Sequence, residues 1–247
     1  MKNLVVQYYL GDHCPTWANV SKYSIQKYCE RFNVEYEFHD KPQMKDLPAP
    51  HFENLFLLYD DKYDEYDNIL YLDIDIVDRK MNQNIFDFEV DDVGAVQDRF
   101  LVELEGPDKE RAAYKKLTYE NGWFNFEIDA HNAIREKYGD FKWKTSPTYK
   151  PLDQFVNTGL LLWSKKGRKK AKKLFTSVQE YVKINFGPTP AHKFQGLDQL
   201  YINWQFAIHD FKITELPREW NNQEWTKQNL IHQFVHFTTE PGKKTLR

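Results

Sequence analysis

With 247 residues, 41 % of them apolar and 16 % aromatic, the chain can bury one sizeable core as a single domain spanning residues 1–247. A net charge of −3 excludes a global attraction for nucleic acid, and no apolar run reaches the ~18 residues of a membrane span. Cys14 and Cys29 are too few for a disulfide framework or a structural zinc site, and a strand-like run from Leu4 leaves no room for a signal peptide, so a soluble, cytoplasmic protein is expected.

Residues 4–10 read as a first buried strand. Thr16 is placed to cap a helix in which Ile25, Tyr28, Cys29 and Phe32 form one apolar stripe. Val34, Tyr36 and Phe38 alternate with Glu35 and Glu37, a second strand with one wet face. A Pro-rich loop over 42–50 leads to a helix predicted over 52–63.

The stretch 68–79 is the one around which the chain is organised. Ile69, Leu70, Tyr71 and Leu72 form an unbroken apolar run, as in a strand buried on both faces of a parallel sheet. Asp73 and Asp75 follow at its end, where alternation along a strand sets i and i+2 on the same side. Two such carboxylates repel unless a proton or cation sits between them, and the carboxyl edge of an open α/β sheet is where ligands bind.

Residues 93–96 give a further strand, completing a β-α-β-α-β pattern: an α/β protein with a mostly parallel central sheet flanked by helices. Periodicity is lost over 99–150, which reads as an insertion over the site. Residues 155–163 return to buried-strand character. A helix is expected over 165–184, with an apolar stripe at Ala171, Leu174, Phe175, Val178 and Val182. Gly196-Leu-Asp198-Gln199 opens another helix, and Val235-His236-Phe237 is a last short strand. The basic run from Lys165 to Lys173 has no interleaved aromatics and reads as a solvated helix face, a peripheral membrane contact being the lesser alternative.

Asp73-Ile-Asp75-Ile-Val77 fits the signature of haloacid-dehalogenase-type phosphatases, whose first aspartate is a covalent nucleophile. That family carries the motif on its first strand and has a later Gly-Asp-x-x-x-Asp loop. Here the motif sits on the third strand and the loop has no counterpart.

Four motifs in order point elsewhere: Tyr71-Leu-Asp73-Ile-Asp75, Val156-Asn157-Thr-Gly159-Leu-Leu-Leu-Trp, Gly196-Leu-Asp198-Gln199-Leu-Tyr-Ile-Asn203, and Val235-His236-Phe237 with Gly242-Lys243. Together they resemble the nucleotide-sugar glycosyltransferases of the GT-A (Rossmann-like) fold, most of all family 8, the glycogenin and bacterial lipooligosaccharide galactosyltransferase group. The resemblance implies a sugar transferred from a nucleoside diphosphate to a glycan, lipid-linked or protein acceptor, with retention of configuration. It implies Asp73, Asp75 and His236 as ligands of Mn²⁺ or Mg²⁺, the imidazole favouring Mn²⁺. It places Lys243, or Lys244, on phosphate, Asn157 on the sugar pocket, and Asp198 and Gln199 near the anomeric carbon. Asp12 and Tyr8, with Tyr9, would face the base and ribose.

Each residue also has a plainer reading. Asn157-Thr-Gly159 can be a strand-end turn, Asp198 a favourable helix start, and the tyrosines core. Two features depart from the family: His51-Phe52-Glu53-Asn54-Leu55 stands where a Lys or Arg is usual, and the Lys-Pro-Trp ending is missing. A non-catalytic protein that binds a nucleotide sugar or a glycan is therefore the non-enzymatic alternative.

Overall fold

The computed structural model describes residues 1–97, 156–181, 197–223 and 233–237; the expected insertion over 99–150, Val182, Lys243 and Lys244 lie outside them. The elements in order are β1 (Asn3–Tyr8), α1 (Thr16–Phe32), β2 (Glu35–His39) and α2 (Phe56–Tyr59). Then come β3 (Asn68–Leu72), β4 (Ile76–Arg79), β5 (Val93–Gln97), β6 (Val156–Ser164) and α3 (Lys165–Leu174). The last described elements are α4 (Leu197–Ile208), β7 (Ile213–Glu215), β8 (Asn222–Gln223) and β9 (Gln233–His236).

Six strands form the central sheet in the order β2-β1-β3-β6-β5-β7. β1 runs parallel to β2 and β3, and β5 runs parallel to β7; only β6 is reversed, antiparallel to both β3 and β5. The sheet is mostly parallel, as the sequence predicts. Alternation along β3 sorts its side chains between two cores. Ile69 and Tyr71 join Phe52, Phe56, Trp163, Tyr201 and Phe206 on one face. Leu70 and Leu72 join Ile25, Tyr28, Cys29, Trp220 and Phe234 on the other. With both faces covered, β3 is apolar at every position rather than at every second one.

The reversal of β6 has a consequence for the site. Leu72 pairs with Leu160, so the first residues of β6 lie beside the last of β3. A second sheet, β4-β9-β8, leaves the same edge, with Ile76 opposite His236.

Several predicted helices are interrupted. Over 52–63 the chain forms a 3-10 turn (Pro50–Leu55), then the 4-residue α2, then a second 3-10 turn. Asp60 causes the second break: it takes extended geometry (ψ 118°) and its carboxylate accepts from Lys62 N–H at 3.0 Å. The helix expected over 165–184 ends at Leu174, because the polar groups of Thr176 find tertiary partners. Its N–H donates to Gln205 Oε1 (3.2 Å), and its carbonyl accepts from Tyr201 and Gln205. Helical geometry resumes only at 178–181, and Leu174, expected on the stripe, is exposed. Thr16 is the first residue of α1 rather than its cap; Pro15 holds that position. Among the described residues no helix is long and apolar enough to cross a membrane.

The basic run is not a uniformly wet face. Arg168 is 2 % exposed, and its guanidinium donates to the carbonyls of Trp163, Tyr63 and Tyr66 at 3.1, 3.1 and 2.5 Å. Burial pulls its pKa down to about 10, opposed by Asp64 and Asp67. Replacing it by Met removes buried donors from three carbonyls, of which that of Tyr63 keeps the Tyr66 N–H, so Arg168→Met is expected to cost about 2–4 kcal/mol in urea unfolding. Lys169→Met, on the exposed face, should shift stability by no more than about 0.5 kcal/mol.

Two histidines set an acid limit. Burial holds His39 below the ordinary 6.5, against Glu37 and assisted by Lys62, and burial with Lys170 lowers His209 likewise. The unfolded chain takes up protons near pH 6.5 that the folded chain refuses. Stability is therefore full above about 6.5 and falls as the pH drops from there through the folded values. Denaturation midpoints at about pH 7 and 5.5 should show that loss, and His39→Phe should diminish it.

Candidate metal centre and its cleft

β3 ends in a tight turn. Ile76 N–H donates to the Asp73 carbonyl (3.1 Å), so Asp73 and Asp75 converge through the turn and not through the strand alternation expected from the sequence. Gln7 pins the turn from below, its Nε2 donating to the Asp73 carbonyl and to Ser21 Oγ, both at 3.1 Å. Ser21 in turn donates to the Ile76 carbonyl.

The second sheet supplies the third group. Phe237 N–H donates to the Asp75 carbonyl (3.0 Å), which seats β9 against the turn. His236 Nε2 then lies 3.1 Å from Asp75 Oδ1 and 3.6 Å from Asp73 Oδ2. One ligand atom from each of the three residues lies within 4.8 Å of the others. Two carboxylates and an imidazole suit a divalent cation that keeps positions open for further ligands. Gly159 leaves the space: a Cβ there would stand 2.4 Å from His236 Cε1 and 2.8 Å from Asp73 Oδ2. The residues fit a metal.

The electrostatics carry the mark of that crowding. Burial first, and then the charge of Asp75, holds the Asp73 carboxyl above its usual range; His236, the Tyr71 hydroxyl and His51 pull the other way. Tyr71 donates to Asp73 Oδ1 at 2.6 Å. Burial, reinforced by the Asp73 charge, pushes the phenols of Tyr71 and Tyr8 well above their ordinary value.

A cleft of about 410 Å³ opens beside the triad, lined by Tyr8, Tyr9, Trp17, His51, Tyr71 and the two aspartates among others. Tyr8 stacks on Tyr71 with centroids 5.8 Å apart, and Tyr9 meets Trp17 edge-on at 6.0 Å. Asp12 is exposed beyond β1 and does not line the cleft, which separates it from Tyr8. Of the lining side chains only His51 can carry positive charge.

Because β6 runs backwards, Asn157, Thr158 and Gly159 arrive at this same edge. Asp73 N–H donates to the Gly159 carbonyl at 2.8 Å. Asn157 Oδ1 accepts from Gly159 N–H (3.0 Å) and from Asn221 Nδ2 (2.8 Å), so this oxygen is turned toward the support of His236. Thr158 joins β6 to α4: its N–H donates to Gln199 Oε1 (3.3 Å) and its hydroxyl to Asp198 Oδ2 (3.4 Å). Asn54 Nδ2 donates to the same Asp198 oxygen at 3.3 Å. Asn203 holds the strand start with a two-way bond to Val156, at 2.8 and 3.0 Å. Asp73, Asp75, His236, Asn157, Asp198 and Gln199 thus meet at one sheet edge. Asn54, Thr158, Tyr71 and Asn221 belong with them and were given no site role by sequence. Tyr71 and Thr158 stand inside quoted motifs and Asn54 inside the stretch that departs from the family, whereas Asn221 carried no signal.

No known family profile matches the chain, and no curated protein is similar to it at a significant level. Solved structures do match. A glycosyltransferase involved in glycosylation of the major capsid of PBCV-1 aligns over 100 % of this chain and 98 % of its own, with TM-score 0.55 and 12 % identity. The bifunctional glycosyltransferase WbbM matches 97 % of this chain and 46 % of its own greater length, with TM-score 0.53 and 14 % identity. An active-site mutant of LgtC matches over 96 % and 87 %, with TM-score 0.51 and 12 % identity. The chain has the GT-A-type glycosyltransferase fold. At these identities the likeness concerns the fold alone.

Gly159→Ala forces His236 and Asp73 apart without touching either core. The variant is expected to keep the far-UV circular dichroism of the parent while divalent-metal binding, followed by Mn²⁺ paramagnetic resonance, falls at least about tenfold.

Proposed function

We propose that the protein is a metal-dependent glycosyltransferase that moves a sugar from a nucleoside diphosphate to a glycan, lipid-linked or protein acceptor. The observation that carries this reading is the convergence of Asp73, Asp75 and His236 at the carboxyl edge of a GT-A-type sheet, beside an aromatic cleft. Departure of a nucleoside diphosphate develops negative charge on its phosphates, and positive charge is needed there. A divalent ion on the triad would supply it as a Lewis acid, Mn²⁺ being the better match to a site containing imidazole.

The remaining work belongs to this chain's side chains. The volume of the cleft suits a nucleotide, and Tyr8 and Tyr9 offer ring faces or edges to the base. Asp12 is the weaker contact, lying outside that lining. Lys243 or Lys244 would reach the phosphates. Asp198 and Gln199, tied to β6 through Thr158, are the polar groups assigned to the donor sugar, with Asn157 behind them. Retention is the stereochemical outcome proposed: the leaving phosphate can take the acceptor proton, and a separate carboxylate base is then unnecessary. Neither the phosphatase reading nor the purely binding one draws support from a particular contact.

A thermal-shift panel of nucleoside diphosphates and nucleotide sugars, each with and without Mn²⁺, tests the proposal. A ligand at a hundred times its dissociation constant should stabilise the fold by about 2.7 kcal/mol, and only when Mn²⁺ is present. Asp75→Ala should abolish that shift while leaving the unliganded melting temperature within a few degrees of the parent. A full Mn²⁺-dependent shift in the variant would remove Asp75 from the site. No shift for the parent across the panel would remove the reading itself.

A further inference from the structure

The geometry points to Asn221 as a positioning residue that fixes His236 in the one neutral tautomer able to bind a metal through Nε2, the nitrogen facing the carboxylates. This rests on the metal-dependent reading above, although its first test does not.

The assignment follows from a chain of hydrogen bonds whose first member has no freedom. Gly159 N–H belongs to the backbone of β6 and can only donate. The Asn157 side-chain atom 3.0 Å from it must therefore be the oxygen. That oxygen cannot donate, so the Asn221 atom 2.8 Å away must be the amide nitrogen. The other end of the Asn221 amide is then its oxygen, an acceptor, and it lies 3.0 Å from His236 Nδ1. An acceptor facing Nδ1 requires the proton there. A neutral imidazole protonated at Nδ1 has its lone pair on Nε2, the nitrogen that faces Asp75 and Asp73 at 3.1 and 3.6 Å.

The relay is isolated from water, so the bonds do not compete with solvent. Asn221, Asn157 and His236 are 4 %, 8 % and 4 % exposed. The position of Asn221 is itself fixed, at the end of the turn Arg218–Trp220, with its own N–H bound to the Arg218 carbonyl at 3.0 Å and Trp220 fully buried behind it. The next residue, Asn222, pairs with Val235 in the second sheet, which sets the distance to β9. A lone pair aimed at two carboxylates is unfavourable unless a cation lies between them, and the relay opposes that cost by holding the ring proton on Nδ1. Metal-bound histidines commonly donate their second nitrogen to a carboxylate or carbonyl, and loss of that partner typically weakens binding 10–100-fold. Here a side-chain amide takes that place, with a strand N–H as its origin.

The test begins with the metal-free parent protein, taken upward in pH until the ring's own nitrogen-15 shifts report a neutral imidazole. Nitrogen-15 correlation spectra of the ring should show the proton-free, downfield nitrogen of His236 to be Nε2. A proton-free Nδ1 overturns the proposal whatever any variant does. In Asn221→Leu, which keeps the volume and removes the acceptor, Mn²⁺ affinity measured by paramagnetic resonance should fall about 10–100-fold, with the ring spectrum shifting toward a tautomer mixture. A folded Asn221→Leu that binds Mn²⁺ within about twofold of the parent also overturns it. If that variant does not fold, the parent spectrum alone decides. A bare Nε2 in a parent that binds no Mn²⁺ would remove the metal reading and leave the tautomer assignment standing.

Discussion

The antiparallel pairing of β6 with β3 is the contact on which the rest of the site depends. In a sheet whose other central strands all run one way, a sixth parallel strand would deliver its first residues to the far edge. Reversal delivers Asn157, Thr158 and Gly159 to the near edge instead, and the bond from Asp73 N–H to the Gly159 carbonyl extends the ladder one step past the strand. From that step everything else is reached within a bond or two: Asn157 to Asn221 and His236, and Thr158 to Asp198 and Gln199. The burial of all nine residues of β6 is what makes the register rigid, since a slip by one residue would exchange the faces of its apolar run over 160–163.

The cost of this arrangement is electrostatic. Two carboxylates gathered by a turn raise each other's energy, and the Asp73 pKa is lifted accordingly, burial being the larger cause. Among the described residues the fold meets that cost with the Tyr71 hydroxyl on Asp73, with backbone amides and Gln7 on the turn carbonyls, and with the imidazole of His236 beside both carboxylates. Neutral donors such as the Tyr71 hydroxyl reduce the repulsion without neutralising the charge, which suits the pair to a cation. Where the fold does use buried charge for structure, at Arg168, the partners are carbonyls far from the cleft.

How much of this is legible in sequence depends on how local the cause is. The buried strands and α1 announce themselves through unbroken or periodic apolar runs, because burial acts on every residue of the element. The motifs around Asp73, Asn157, Asp198 and His236 are legible because each sits where a strand ends or a helix starts. The interruptions at Asp60 and Thr176 are not, since they come from single polar groups choosing their partners: the Asp60 carboxylate takes the Lys62 amide two residues on, and Thr176 takes Gln205 and Tyr201 across the fold. The convergence of Asp73 and Asp75 was anticipated for the wrong reason, as a turn achieves what alternation was expected to do. Asn221 leaves no sequence mark at all, and Asn54 only the absence of a cation from its stretch. Each acts through one amide aimed at a residue that is distant in sequence, and nothing in the residues around either amide indicates that partner.

The departure at Asn54 shows how such a distant amide changes the local chemistry. Where the resemblance leads one to expect a cation, this chain has a 5 %-exposed amide hydrogen-bonded to Asp198. A cation within bonding distance would form an ion pair with that carboxylate and spend much of its charge there. An amide fixes the same oxygen by geometry alone and leaves its negative charge largely intact, as does the Thr158 hydroxyl on its other side. Positive charge in the described part of the cleft is then confined to whatever occupies the Asp73–Asp75–His236 triad and to His51 on the opposite wall. On the proposed reading, a site built this way would depend more strongly on its metal than one with a built-in cation, because no other described group in it could hold a diphosphate by charge. The hydrogen bonds by which Asn221 and Asn157 hold His236 would be the structural counterpart of that dependence.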